Sequence, residues 1–327
     1  MSDSERQLLA PHIGDAIERF SEQPRMQGIF RKIGPTLSDA LCELDRYPMH
    51  FSMGFRESFH PKDYAPKGRP DLLFIAQAAE VAELSGYALL GNVYKLRALV
   101  EDIIDGLNRR RFMVVAGAAR ALMENIALVE HLAHKDIGRI DAVLELSARG
   151  IGRALRVSMR NPRMIATTAE ELAAQHLVKA SARLLIRAQE HLRIQMQLRR
   201  SNVFHGGGKV PANVSPTNIL TMIKNRLRYQ HTSITPLTSY EALCEFVHPN
   251  GSSNYLFVDK IDPRGASRRR LHLCATPTDW TLHITVLSLI AAPIIECLPA
   301  ALRTLNEMRR RWASLEKFEV DVRHYSS

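Results

Sequence analysis

The chain has 327 residues, 46% hydrophobic and 24% charged, with a formal net charge of +10. That apolar content can bury a substantial core, and it excludes a disordered, collagenous or disulfide-framework protein. Arginine supplies the cationic excess, 34 residues against 10 lysines, which suits nucleic acid or an anionic membrane surface without choosing between them.

Aromatics are scarce, and leucine and alanine fill the apolar positions, which favours helices over sheets. Cys42, Cys244, Cys274 and Cys297 stand far apart with no CxxC pair and read as small apolar fillers in a reducing compartment. The first residues carry neither the basic start nor the apolar stretch of a signal peptide. The longest apolar run, 284–300, is interrupted by Pro293, Glu296 and Pro299, so a buried helix is expected there. The expectation is a cytoplasmic protein with no membrane span.

In chain order, residues 4–20 and 26–44 show helical apolar spacing. Residues 47–70 hold four prolines and two glycines and predict a long loop. A helix is expected over 71–107, broken near Gly86 or Gly91, followed by others over 112–134, 140–159 and 169–200. Ser215-Pro216 reads as a helix start, and Thr238 to Glu241 as a capping box opening a helix that stops at Pro249. Residues 254–258 and 270–274 alternate like strands around an Asp262 to Gly265 connector. A last helix follows Thr278 and reaches about Phe318. The sum is an all-α bundle of long helices with a small late β-hairpin insertion. N-terminal helices and a proline-rich loop (1–67) precede a bundle core (68–327), and the two form one cooperative unit.

Chemistry concentrates where the longest helical pattern ends, at Arg199-Arg200-Ser201-Asn202-Val203-Phe204-His205-Gly206. A histidine can move a proton near neutral pH, and a guanidinium can hold a pentavalent phosphate. The bland alternative is an arginine capping the helix and a loop histidine bonding backbone carbonyls. Upstream, Lys179, Arg183 and Arg187 recur every four residues, either as a guide for a phosphate backbone or as a solvated face.

Two further constellations stand out. In the helix after Thr238, Tyr240, Leu243, Cys244 and Val247 face one way, while Glu241, Glu245 and His248 line another. Arg120 and Glu124 lie one turn apart in an apolar segment, either as a surface pair or as a buried pair needing partners. Glu245, His248 and the Arg–His loop are the expected suppliers. Glu57/His60 and Glu245/His248 have the Glu-x-x-His spacing of carboxylate-bridged metal bundles, but two further glutamates in order are missing, so no metal and no cofactor are expected.

The Arg200-x4-His205-Gly text resembles the catalytic motif of HEPN domains, helical nucleotide-binding and ribonuclease proteins. Ser201 stands where that motif commonly has a polar orienter, and Asn202 sits one place late. The resemblance implies a helical bundle that dimerises, brings Arg200 and His205 of both copies to one cleft, and cleaves or binds RNA without metal, in a toxin or phage-defence setting. The Tyr240 to Pro249 segment is similar to text in uncharacterised bacterial helical proteins, which assigns no chemistry. The expectation is a metal-independent endoribonuclease or RNA-binding protein. The alternatives are a non-catalytic helical scaffold with basic faces and, third, a carboxylate/His metal enzyme.

Overall fold

Proline stands at the first position of several helices of this chain, at Pro24, Pro70, Pro216 and Pro236. The computed structural model describes residues 24–52, 70–160, 168–203, 216–232, 234–247, 258–262, 270–273 and 281–326. Helix α1 (Pro24–Leu44) buries Phe30, Ile33, Leu37 and Leu44, which recur at helical spacing. Helix α2 (Pro70–Asn108) is continuous, so the expected break at Gly86 or Gly91 is absent. The reason is packing: a Cβ on Gly86 would lie 2.8 Å from Cε2 of Trp312, so the glycine admits an indole rather than ending a helix. Helix α2 closes in a Schellman motif. Arg111 N–H donates to the Gly106 carbonyl at 2.7 Å, Arg110 N–H donates to that of Leu107, and Arg110 takes a left-handed φ of 56°.

Helix α3 (Phe112–Leu144) runs ten residues past His134, so residues 140–144 belong to it and do not open the next helix. Ser147 caps helix α4 (Ala148–Arg160), its Oγ accepting the Gly150 N–H at 3.1 Å. Helix α5 (Ala169–Val203) starts with a capping box in which Thr168 and Glu171 bond each other's N–H at 3.2 Å. Helix α6 spans Pro216–Arg226. Helix α7 (Pro236–Val247) is capped by Thr235, whose Oγ1 accepts the Thr238 N–H at 3.1 Å. The cap therefore sits three residues before the expected one, because Pro236 can take the first helical position.

Val258–Asp262 (β1) and Arg270–Leu273 (β2) pair antiparallel, Asp262 opposite Arg270 and Val258 opposite Leu273, with an irregularity between Val258 and Lys260. Residues 254–257 and 263–269 lie outside the described residues, as does the expected helix over 4–20. Helix α8 (Thr281–Ala292) passes through a π turn, Pro293–Cys297, into helix α9 (Leu298–Ser326). Regular structure among the described residues is thus overwhelmingly helical.

The chain divides into two compact units that interleave in sequence. One holds residues up to 47, 93–129 and 216–303, and in it α8 packs on α1, α7 and the π turn, with α6 on α7. The other holds 48–92, 130–215 and 304–327. There α4 lies against α5, over a core that includes Phe74, Val81, Val143, Leu155, Leu185 and Val322.

Three helical stretches among the described residues are long and apolar enough to cross a membrane: Asp71–Asn108, Phe112–His134 and the continuous His283–Ser326. Even the shortest, 23 residues, spans about 35 Å at 1.5 Å per residue, against a hydrocarbon core of about 30 Å. This overturns the expectation of a chain without a membrane span, and with it the cytoplasmic assignment. Pro293, Glu296 and Pro299 interrupt the apolar run 284–300 in sequence. The π turn nevertheless carries the helix through them: Leu298 N–H donates to the Pro293 carbonyl, and the Glu296 carboxylate accepts the Gln230 N–H.

Candidate functional site

Helix α3 places Arg120 and Glu124 one turn apart, and helix α7 brings Tyr240 to them within the same unit. The Tyr240 hydroxyl donates to Glu124 Oε1 at 2.7 Å, and Arg120 Nε donates to that hydroxyl at 3.4 Å. Arg120 Nε also lies 3.3 Å from Glu124 Oε1, and its guanidinium carbon stands 5.5 Å from the centre of the Tyr240 ring. Arg120 and Glu124 are about a quarter exposed, whereas Tyr240 is buried. The expected pair therefore needs partners and has one, but the partner is Tyr240 from the apolar face of α7. Glu245, the expected supplier, lies on the exposed side of that helix with Glu241.

The electrostatics of this cluster oppose proton transfer near neutral pH. Burial, then the hydrogen bond to Glu124, pushes the Tyr240 phenol well above its usual range. Burial also raises the Cys244 thiol, although the Arg120 cation and the Tyr240 hydroxyl pull the other way. A thiol held protonated is a poor nucleophile, and a phenol held protonated is a poor base. What the arrangement does well is fasten α7 to α3 and neutralise an arginine and a glutamate inside an apolar stretch.

Arg199, Arg200 and Asn202 all fall in the last turns of α5. Their side chains lie outside the described residues, as do His205, His248, Glu57 and His60. Lys179, Arg183 and Arg187 are exposed along α5. Among the described residues, no group of three or more His, Cys, Asp or Glu side chains is placed to hold a metal ion.

Sequence reasoning passed over helix α4. Arg149, Arg153 and Arg156 are exposed on it, while Ile151, Ala154 and Leu155 are buried. The signal was legible: arginines at i, i+4 and i+7 in a segment with no acidic residue. The arginine runs 109–111 and 309–311 are the more conspicuous basic text, and several of their members have structural work. Arg110 closes α2, Arg109 pairs with Asp105 at 2.7 Å, and Arg311 pairs with Asp141 at 2.9 Å and Glu307 at 3.1 Å. No protein family, curated protein or solved structure matches this chain.

Proposed function

We propose that the chain is a membrane-associated helical scaffold, a non-catalytic interaction protein that meets anionic surfaces through its basic helical faces. The observation that carries this reading is the presence of three stretches long and apolar enough to cross a bilayer. Two side-chain features support it. Met113 and Val114, at the start of α3, are exposed large apolar groups within one such stretch. Arg120 and Glu124 in the same stretch are paired with each other and with Tyr240, as ionisable groups at membrane depth must be. The test is fractionation of cells expressing the chain, followed by an alkaline carbonate wash of the membranes. Retention in the washed pellet until detergent is added is the expected result. Recovery in the soluble fraction without detergent would end this reading.

The second reading is metal-independent RNA cleavage of the HEPN type. The observation favouring it is that α5 runs unbroken to Val203, so Arg199, Arg200 and Asn202 share one helix with the exposed Lys179, Arg183 and Arg187. In this reading His205 handles the proton of the attacking 2′-hydroxyl or of the leaving group, and Arg200 stabilises the phosphorane. RNA incubated with the chain in EDTA is then cut by wild type and spared by His205→Ala and Arg200→Ala. Equal cleavage by all three proteins, or by none, removes it.

A further inference from the structure

We infer that helix α4 is a membrane-docking helix whose exposed Arg149, Arg153 and Arg156 bind the anionic headgroups of phospholipids; this rests on the membrane association proposed above. Positions i, i+4 and i+7 lie along one side of a helix, so the three guanidinium groups form a single stripe. No Asp or Glu occurs between Ala148 and Arg160 to neutralise them from within the helix.

The opposite side of α4 is committed to the protein. Ile151 and Leu155 are 1% and 0% exposed. A Cβ on Gly152 would lie 2.7 Å from the Tyr325 carbonyl carbon, so α4 is pressed onto α9 there. Helix α4 therefore cannot roll its apolar side into lipid as an interfacial amphipathic helix does. It meets the membrane by charge alone.

Its place in the chain fits that role. Arg149 follows His134, the end of the second apolar stretch, by 15 positions. Cations within about 15–20 residues of a span set which side of the membrane its loop occupies; Arg149 and Arg153 fall in that range, and Arg156, 22 positions past His134, shares their side of the helix. The exposed cations of α5 are a weaker candidate, because Glu190 sits one turn from Arg187. An RNA backbone would also satisfy three arginines, but the apolar stretches favour a lipid surface as the source of the phosphates.

The full chain is held in micelles of a neutral detergent, so that its apolar stretches are covered in every sample, and phosphatidylglycerol or phosphatidylcholine is titrated into the micelles with binding read by calorimetry. Each cation near a charged headgroup surface contributes about 1 kcal/mol, so the triple variant Arg149→Gln, Arg153→Gln, Arg156→Gln loses roughly a hundredfold in apparent affinity for phosphatidylglycerol. Phosphatidylcholine shows no such difference, high salt erases it, and the matching triple lysine variant binds like wild type. Because all three sites are exposed, the variants keep wild-type circular dichroism. Equal binding of phosphatidylglycerol by wild type and the glutamine variant overturns the inference while leaving membrane association intact. So does a loss caused instead by Lys179→Gln, Arg183→Gln, Arg187→Gln. Displacement of phosphatidylglycerol by stoichiometric RNA would hand the stripe to nucleic acid. Recovery of the chain in the soluble fraction of cells without detergent counts against membrane association itself, and the α4 proposal falls with it.

Discussion

Tyr240 decides how the arginine and glutamate of α3 are tolerated in an apolar stretch. Its hydroxyl donates to a partly buried carboxylate, an interaction worth about 1.5–3 kcal/mol when the acceptor is charged. Replacing Tyr240 with Phe should lower unfolding stability by about 1–2 kcal/mol in denaturant titration, whereas a change below about 0.3 kcal/mol would mean that solvent replaces the phenol. The same residue sets a pH dependence. Its phenol is raised in the folded chain, so the protonated form is favoured by folding. The stability it adds is complete below the ordinary phenol value near 10 and fades as pH climbs past it. Tyr229, raised chiefly by burial, acts in the same direction. Ultraviolet titration should show phenolate from these two tyrosines only above that ordinary range, and stability should decline from there upward; ionisation of every tyrosine together near pH 10 would contradict it. The sequence made the Arg120–Glu124 spacing visible and grouped Tyr240 with the apolar face of its helix. It could not show that this face meets α3, since that contact joins residues 116 positions apart.

At the scale of elements, glycine separates what is local from what is tertiary. Gly28 in α1 has nothing within 4 Å of where a Cβ would stand, so Gly28→Ala should stabilise by about 0.5–1 kcal/mol through helix propensity alone. Gly152 in α4 gains the same propensity from alanine. There the new methyl meets the backbone of Tyr325, and overpacking of about 1–3 kcal/mol wins. Opposite signs for the two variants in thermal or chemical unfolding are expected; a stabilised Gly152→Ala would mean that α4 and α9 separate easily. This contrast explains where element boundaries were legible. Proline starts and the apolar spacing of α1, α2 and α5 are local signals, and those helices stand close to where their spacing puts them, whereas α3 starts as expected but runs ten residues further. The missing break at Gly86 depends on the Trp312 ring, which lies 226 positions away and casts no signal in the helix itself. The Thr235 cap was readable but was outcompeted by the Thr238 to Glu241 text, which has the better capping-box spelling.

For the whole molecule, the decisive feature is unbroken helix carrying an apolar window long enough to span; in the last helix that window lies before the charge-rich residues from Arg303 onward. Three interruptions within 284–300 counted against a span in sequence, yet the π turn bonds around them and leaves a helical stretch of 44 residues from His283. The cationic excess alone suits nucleic acid or an anionic membrane and selects neither; the expected partner, RNA, came from the Arg200–His205 resemblance. The three long apolar stretches favour the membrane, and under the proposal above the exposed arginines of α4 meet its charged surface. The most direct measurement places a nitroxide on Val114→Cys, in a background cleared of other cysteines, with the chain reconstituted in bilayers. Val114 is 44% exposed at the start of the second apolar stretch, so lipid should surround the label. Oxygen, which concentrates in hydrocarbon, should then relax the spin more strongly than a water-soluble nickel chelate. Stronger relaxation by the chelate would put position 114 in water and contradict the membrane account.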